Sequence, residues 1–267
     1  MKTILRLLII AIIITPVFII LLTTDEQKNN KVIASPSIRI IPRDDWWGNL
    51  PPGELIPSRP LSYRSNITHV IIHHTGAIQH NNHTSREAVE WVRSIWRHHV
   101  INNKWSDIGY NFIIDRFGNI YKGRHNPFLF DKPTREVTGT HARGFNTGTI
   151  GIGFLGYFHD KLPSPAALSS AEQLIAWRFN IHNLSPFERD RTIFRIATHR
   201  DVNPTGCPGS RLAEYMPTMR QNVAKLLNID IIVEPPQPDP RPDPYPDDPQ
   251  LEIEPTPWLW CPLFPTQ

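Results

Sequence analysis

The sequence predicts an α/β fold, a single domain in which a central mixed β-sheet is flanked by helices, with a hydrophobic segment before it and a proline-rich tail after it. Three observations carry that expectation. Short β-branched runs such as His69-Val-Ile-Ile-His73 read as buried strands. They alternate along the chain with stretches of helical periodicity, and such interleaving builds a mixed sheet with helices packed against it. From Pro235 to Pro246 proline nearly alternates, which favours an extended polyproline II spacer with no core of its own.

The elements follow from the N-terminus. Ile4 to Leu22 is apolar except for Arg6, Thr15 and Pro16, with Lys2 and Arg6 on the leading side. This is an export signal. The stretch from Leu7 to Leu22 is slightly long for the core of a cleaved signal and slightly short for a spanning helix. Its exit, Leu21-Leu22-Thr23-Thr24, offers neither a small-x-small cleavage site nor a lipid-acceptor cysteine. The expectation is an uncleaved membrane anchor, positive side inside, with the body facing the periplasm or exterior. If the segment is cleaved, the body is secreted. Residues 23–37 are polar and read as a tether, so 1–37 stand apart from the folded body at 38–232.

Within the body, Ser85 is placed to cap a helix, with Glu87 and Glu90 in its first turns and Val89, Val92, Ile95 and Trp96 as its apolar stripe. Asn111–Asp115 and Asn119–Lys122 flank Arg116-Phe-Gly118, a hairpin signal. Thr149–Gly156 and Phe194–Thr198 read as strands. A helix is expected from Ser169 or Ser170 to about Ile181, and a final amphipathic helix over Ser210–Leu227. Gly151-Ile-Gly-Phe-Leu-Gly156 fits a dinucleotide-binding pattern, but it lies inside a strand-like run and no helix opens after it. That reading is set aside.

Charge is unevenly placed. Residues 231–267 hold seven acids against Arg241, a local −6, so with a total of +3 the remaining 230 residues carry +9. A basic body suits acidic wall polymers or anionic membrane surfaces, and plain solubility explains it equally well. No Lys/Arg run points to nucleic acid. Two cysteines, Cys207 and Cys261, exclude a disulfide framework. The tail, 233–267, ends in the apolar stretch Trp258-Leu-Trp-Cys-Pro-Leu-Phe264, which is expected to dock on the body, a partner or a membrane face.

The residue types that hold metals converge on two strand ends. His73-His74 close one strand, and His199 follows another, with Cys207 eight positions on. Imidazole and thiolate suit Zn2+, and three protein ligands leave a fourth position for water, whose pKa falls toward about 7. Alternation along a strand sends His73 and His74 to opposite faces, so one of them serves a site and the other the core. On spacing alone a structural role for these residues stays open, since twelve histidines offer many accidental trios and a buried cysteine often merely packs.

Taken together, Val70-Ile-Ile-His-His-Thr75, Trp105-Ser-Asp-Ile-Gly-Tyr-Asn-Phe112, Gly118-Asn-Ile-Tyr-Lys-Gly-Arg124, His141-Ala-Arg-Gly-Phe-Asn146 and His199 to Cys207-Pro occur in a telling order. The chain resembles the peptidoglycan recognition proteins and phage amidase lysozymes, the type 2 N-acetylmuramoyl-L-alanine amidases, over roughly Arg39 to Leu227. The resemblance implies a Zn2+ ion on His73, His199 and Cys207, with Tyr110 assisting beside the zinc water. It places Thr205 where the phage enzymes carry a lysine and many recognition proteins a threonine. His141, Arg124 and Trp105 fall where groove residues contact muramyl peptides of peptidoglycan, against structural roles for each. His74, His98, His99 and His182 read as support or surface residues. The activity implied is hydrolysis of the amide between N-acetylmuramic acid and L-alanine. The alternative is a binding module that holds peptidoglycan without cutting it, usual in this family when the cysteine is replaced; here Cys207 is present.

Overall fold

The computed structural model describes residues 38–51, 55–57, 59–190 and 192–230. The predicted N-terminal anchor and the proline-rich tail lie outside the described residues. In chain order the elements are β1 (Ile40–Ile41), α1 (Arg43–Trp47), β2 (Tyr63–Arg64), β3 (His69–His74), α2 (Ser85–Arg97), β4 (Phe112–Ile114), β5 (Ile120–Lys122), β6 (Glu136–Val137), β7 (Thr149–Phe154), α3 (Pro165–His182), β8 (Arg189–Asp190), β9 (Ile193–Phe194), β10 (Ile196–Thr198), α4 (His199–Val202), α5 (Ser210–Glu214) and α6 (Met216–Leu226). Among the described residues no helix is long and apolar enough to cross a membrane.

Six strands form the central sheet in the order β1-β5-β4-β7-β3-β10. Neighbours are parallel except for the β4–β5 hairpin, so the sheet is mixed, as the interleaved pattern predicts. Two short antiparallel pairs, β2–β6 and β8–β9, lie outside it. Alternation sorts the side chains. Val70 and Ile72 of β3, Ile150, Ile152 and Phe154 of β7, and Phe112 and Ile114 of β4 pack with Leu174, Ile175 and Phe179 of α3 and Met219 and Val223 of α6. Each such fully buried side chain contributes about 1.5–3 kcal/mol by leaving water. On the other face, Ile113 and Tyr121 pack with Trp46 and Trp47 of α1 and Val92, Ile95 and Trp96 of α2. By the same alternation Ile71 and His73 of β3 and the glycines of β7 share that second face, and there the candidate site is built.

Several boundaries differ from the sequence reading, each for a local reason. The cap of α2 is Thr84, one residue before Ser85: a capping box needs its hydroxyl three residues ahead of the acid. Glu87 N donates to Thr84 Oγ1 at 3.3 Å while Thr84 N donates to Glu87 Oε2 at 2.6 Å. Helix α3 begins at Pro165 instead of Ser169 or Ser170, because Ser164 Oγ accepts from Ala167 N at 3.1 Å and proline is pre-set for the first helical position. The final helix is broken at Tyr215, since Pro217 has no N–H to donate to the carbonyl of Ala213. The strand expected over Phe194–Thr198 is two, β9 and β10, interrupted at Arg195. The strand expected over Thr149–Gly156 ends at Phe154.

A candidate metal centre on the second face of the sheet

Strand register brings the first two candidate ligands together. β3 and β10 are parallel neighbours with Ile72 opposite Thr198, so the next residue on each is a histidine, His73 and His199. Their ring centroids lie 4.5 Å apart. After β10 the chain makes the single turn α4 and comes back. Arg200 closes this loop twice, through its N–H to Cys207 O at 3.1 Å and Nη2 to Gly206 O at 2.6 Å. Cys207 is thereby returned to the strand ends, where His74 N donates to its Sγ at 3.4 Å.

The ligand atoms of His73, His199 and Cys207 all lie within 4.8 Å of one another, and all three residues are buried. Cys207 Sγ is 3.8 Å from His73 Nδ1. Both ring nitrogens of His199 are buried without a hydrogen-bond partner among the described residues. A buried polar atom left without a partner costs about 1–3 kcal/mol, so a group that native folds normally satisfy is left facing the centre. Two imidazoles and a thiol are the donor set of a catalytic zinc site with one position open. The residues present fit the ion.

Electrostatics agree. Burial drives His73 well below the usual histidine range, with the neighbouring His199, His141 and His74 adding to the shift. His141 is pushed down to about 3, by burial first and then by His199 and Arg124. Both rings are therefore neutral near pH 7, the form in which an imidazole nitrogen binds a metal.

Around the centre the motif residues divide. Tyr110 packs against His73 with ring centroids 5.3 Å apart. Its ring lies on β7 at Gly153, where an added Cβ would sit 3.2 Å from it. Thr205 Oγ1 accepts the N–H of Cys207 at 3.2 Å. His141, expected in a substrate groove, is fully buried behind His73, with Nδ1 3.1 Å from His73 Nε2. Arg124 is also buried, its Nε donating to Ile108 O at 3.1 Å and Nη2 to Thr140 Oγ1 at 2.5 Å. Trp105 is half-buried and stacks on His99 at 4.6 Å. His74 turns to the opposite face, as alternation requires, and accepts from Phe158 N at 3.4 Å.

The sequence signature of the N-acetylmuramoyl-L-alanine amidase family matches residues 63–210. The chain belongs to this family, which it shares with the peptidoglycan recognition proteins. Peptidoglycan-recognition protein LE of Drosophila melanogaster is 31% identical over 179 residues, covering 67% of this chain and 46% of that protein. The chain thus spans less than half of that relative. Peptidoglycan-recognition protein SC2 of the same fly is 28% identical over 179 residues, 66% of this chain and 83% of the relative. Among solved structures, the LE protein in complex with tracheal cytotoxin, a monomeric diaminopimelic acid-type peptidoglycan, superposes with a TM-score of 0.54 at 28% identity, over 67% of this chain and 92% of that one. Drosophila recognition protein SD, at 23% identity and the same TM-score of 0.54, shares the fold.

Some residues that shape this amidase-family centre carry no obvious signal in the sequence. Asp107, inside the Trp105–Phe112 motif, is buried and accepts from Arg43 Nη1 at 2.9 Å and His125 N at 2.8 Å, which ties α1 and the β5 exit to the segment bearing Tyr110. Asn111 Oδ1 accepts from Gly151 N at 2.9 Å, and its amide donates to Val137 O at 2.8 Å. Asn146 Oδ1 accepts from both His141 N and Ala142 N, at 2.7 and 2.8 Å. A polar residue inside a run of motif residues is the one available hint for Asp107 and Asn111. Thr149 had none, and the two glycines of β7 showed only as the dinucleotide-like pattern set aside above.

Proposed function

We propose that the protein is a zinc-dependent amidase that hydrolyses the bond between N-acetylmuramic acid and L-alanine in peptidoglycan. The observation that carries this reading is the buried trio His73, His199 and Cys207, with ligand atoms within 4.8 Å of one another and the cysteine intact. Support for the substrate class comes from the LE relative, whose structure holds tracheal cytotoxin, a monomeric diaminopimelic acid-type peptidoglycan. Residues 1–37 would export the body to where the wall is, as anchor or cleaved signal.

His73, His199 and Cys207 would hold the ion; when bound, zinc supplies a Lewis acid that polarises the scissile carbonyl and acidifies the attacking water. The remaining work falls to this chain's side chains. Tyr110, seated against His73, donates a hydrogen bond to the developing oxyanion. Thr205 does the same, because its oxygen already accepts from Cys207 N and its own proton is left to give. Such donors are most effective where water is excluded, and a neutral hydroxyl stabilises an oxyanion less than an ammonium would. Water adds across the amide, the C–N bond breaks, and the products are a muramyl carboxylate and a stem peptide with a free L-alanine ammonium.

The test incubates the zinc-loaded protein with defined muropeptides of the lysine and diaminopimelate types and analyses the products by mass spectrometry. The expected product is the free stem peptide, absent for Cys207→Ser. Lasting binding of both substrates by the zinc-loaded protein without release of stem peptide would replace the enzyme with a binding module.

A further inference from the structure

The hydrogen bonds behind His73 decide which of its nitrogens meets the metal. Thr149, the first residue of β7, has its Oγ1 2.5 Å from Phe145 O and 3.2 Å from Asn146 O. Carbonyl oxygens only accept, so the single hydroxyl proton of Thr149 is committed to them. The third neighbour of that oxygen, His141 Nε2 at 3.2 Å, must then be the donor. A neutral imidazole carries one N–H, so His141 Nδ1 holds a bare lone pair. It lies 3.1 Å from His73 Nε2, which must in turn carry the proton. His73 Nδ1 is left bare, and this is the nitrogen 3.8 Å from Cys207 Sγ. The opposite assignment fails at the start of the chain: a proton on His141 Nδ1 would leave bare nitrogen facing a hydroxyl that has no second proton to offer.

The surroundings hold the relay in place. His141 has no solvent exposure. Its backbone N–H is fixed by Asn146 Oδ1 at 2.7 Å. Its ring occupies the space over Gly151, where even a Cβ would come within 2.3 Å of it. A ring so enclosed has no route to a ligand in solvent.

We propose that His141 is a positioning residue, which together with Thr149 locks His73 in the Nε2–H tautomer and so presents His73 Nδ1 to the metal. As far as it concerns zinc, this rests on the metal-centre reading above; the tautomer does not. Partners of this kind set the orientation and basicity of a ligating histidine, and their loss weakens metal binding by about 10–100-fold.

The experiment uses the full chain labelled with 15N in histidine. Long-range 1H–15N correlation NMR of the metal-free protein reads the tautomers, and chelator competition reads zinc affinity. His73 and His141 are both expected as Nε2–H. Thr149→Val, nearly isosteric but unable to accept, is expected to weaken zinc binding by about 10–100-fold, while Thr149→Ser stays close to wild type and restores the His141 signal. A metal-free wild type with His73 as Nδ1–H would overturn the proposal, and so would a folded Thr149→Val protein binding zinc as tightly as wild type. If the tautomers and affinities come out as stated but no muropeptide is cut, the amidase reading falls and this one stands. If Thr149→Val does not fold, the wild-type tautomer decides.

Discussion

A methyl group added at Gly151 should do far more harm than the same group two residues later. Both glycines lie on β7 with their absent side chains toward the candidate metal centre. A Cβ at 151 would sit 2.3 Å from His141 Cγ, 2.5 Å from Cδ2 and 2.8 Å from Nδ1. The ring cannot retreat cheaply, since it is held by His73, by Thr149 and, through its backbone, by Asn146. Overpacking of this kind costs about 1–3 kcal/mol. Breaking a buried hydrogen bond adds about 1 kcal/mol. The stiffer unfolded chain of an alanine variant offsets about 0.4–1 kcal/mol. The net for Gly151→Ala is about 2 kcal/mol of destabilisation, or a melting temperature lower by about 4–8 °C for a body of this size. At Gly153 the nearest atom is Tyr110 Cγ at 3.2 Å, so the ring need give only a few tenths of an ångström. Gly153→Ala should therefore cost less than about 1 kcal/mol. Thermal unfolding followed by circular dichroism, with chelator present, measures both. A Gly151→Ala variant melting within about 1 °C of wild type, or a Gly153→Ala variant that loses more than Gly151→Ala, would refute the reasoning.

Three further outcomes follow from groups outside the centre. Arg178→Met removes the guanidinium that pairs with buried Glu136 at 2.6 Å, and an uncompensated buried carboxylate should cost about 3–5 kcal/mol in urea unfolding. Thr84→Ala dissolves the capping box of α2 and should cost about 1 kcal/mol in the same assay. Burial, aided by His98 and Arg124, pushes His99 down to about 3, below its unfolded value near 6.5. Its contribution to stability is therefore complete above pH 6.5 and lost as pH falls toward 3, with a slope of up to about 1.4 kcal/mol per pH unit. His99→Asn, which keeps an acceptor for Gly109 N, should flatten the pH dependence of unfolding across that window; an unchanged slope would count against it.

Much of the fold was legible because the signals were local. The β-branched runs at His69–His74 and Thr149–Phe154 are buried on both faces and read as strands without help from context. The hairpin around Arg116-Phe-Gly118 was legible from its turn. Errors came where one residue outweighed a periodic pattern: Pro165 moved the start of α3 upstream, and Pro217 split the last helix. At the site, strand alternation was enough to send His73 and His74 to opposite faces. The role of His141 was not legible, because it depends on the register of β7 against β3. That register sets Ile71 opposite Gly151 and His73 opposite Gly153 and so opens the space that His141 and Tyr110 fill. The Gly151-x-Gly153 spacing that resembles a nucleotide motif has this plainer cause.

The same register argument joins the stability of the fold to the existence of the centre. On β3, Val70 and Ile72 face α3 and α6 while Ile71 and His73 face the other way. A slip of one residue against β10 would turn His73 into the apolar layer and carry Val70 and Ile72 out of it. Pushing an unpaired imidazole into that layer and taking Val70 and Ile72 from their partners on α3 and α6 would cost several kcal/mol at once. The pairing of Ile72 with Thr198 is thus favoured by the packing of the apolar layer. Once it is fixed, the residues that follow on the two strands are His73 and His199. Their meeting is a consequence of core packing, and what remains to be specified is the return of Cys207, which Arg200 accomplishes by closing the loop on Gly206 and Cys207. Two residues of the candidate centre are thus positioned by the core and the third by the loop that Arg200 closes.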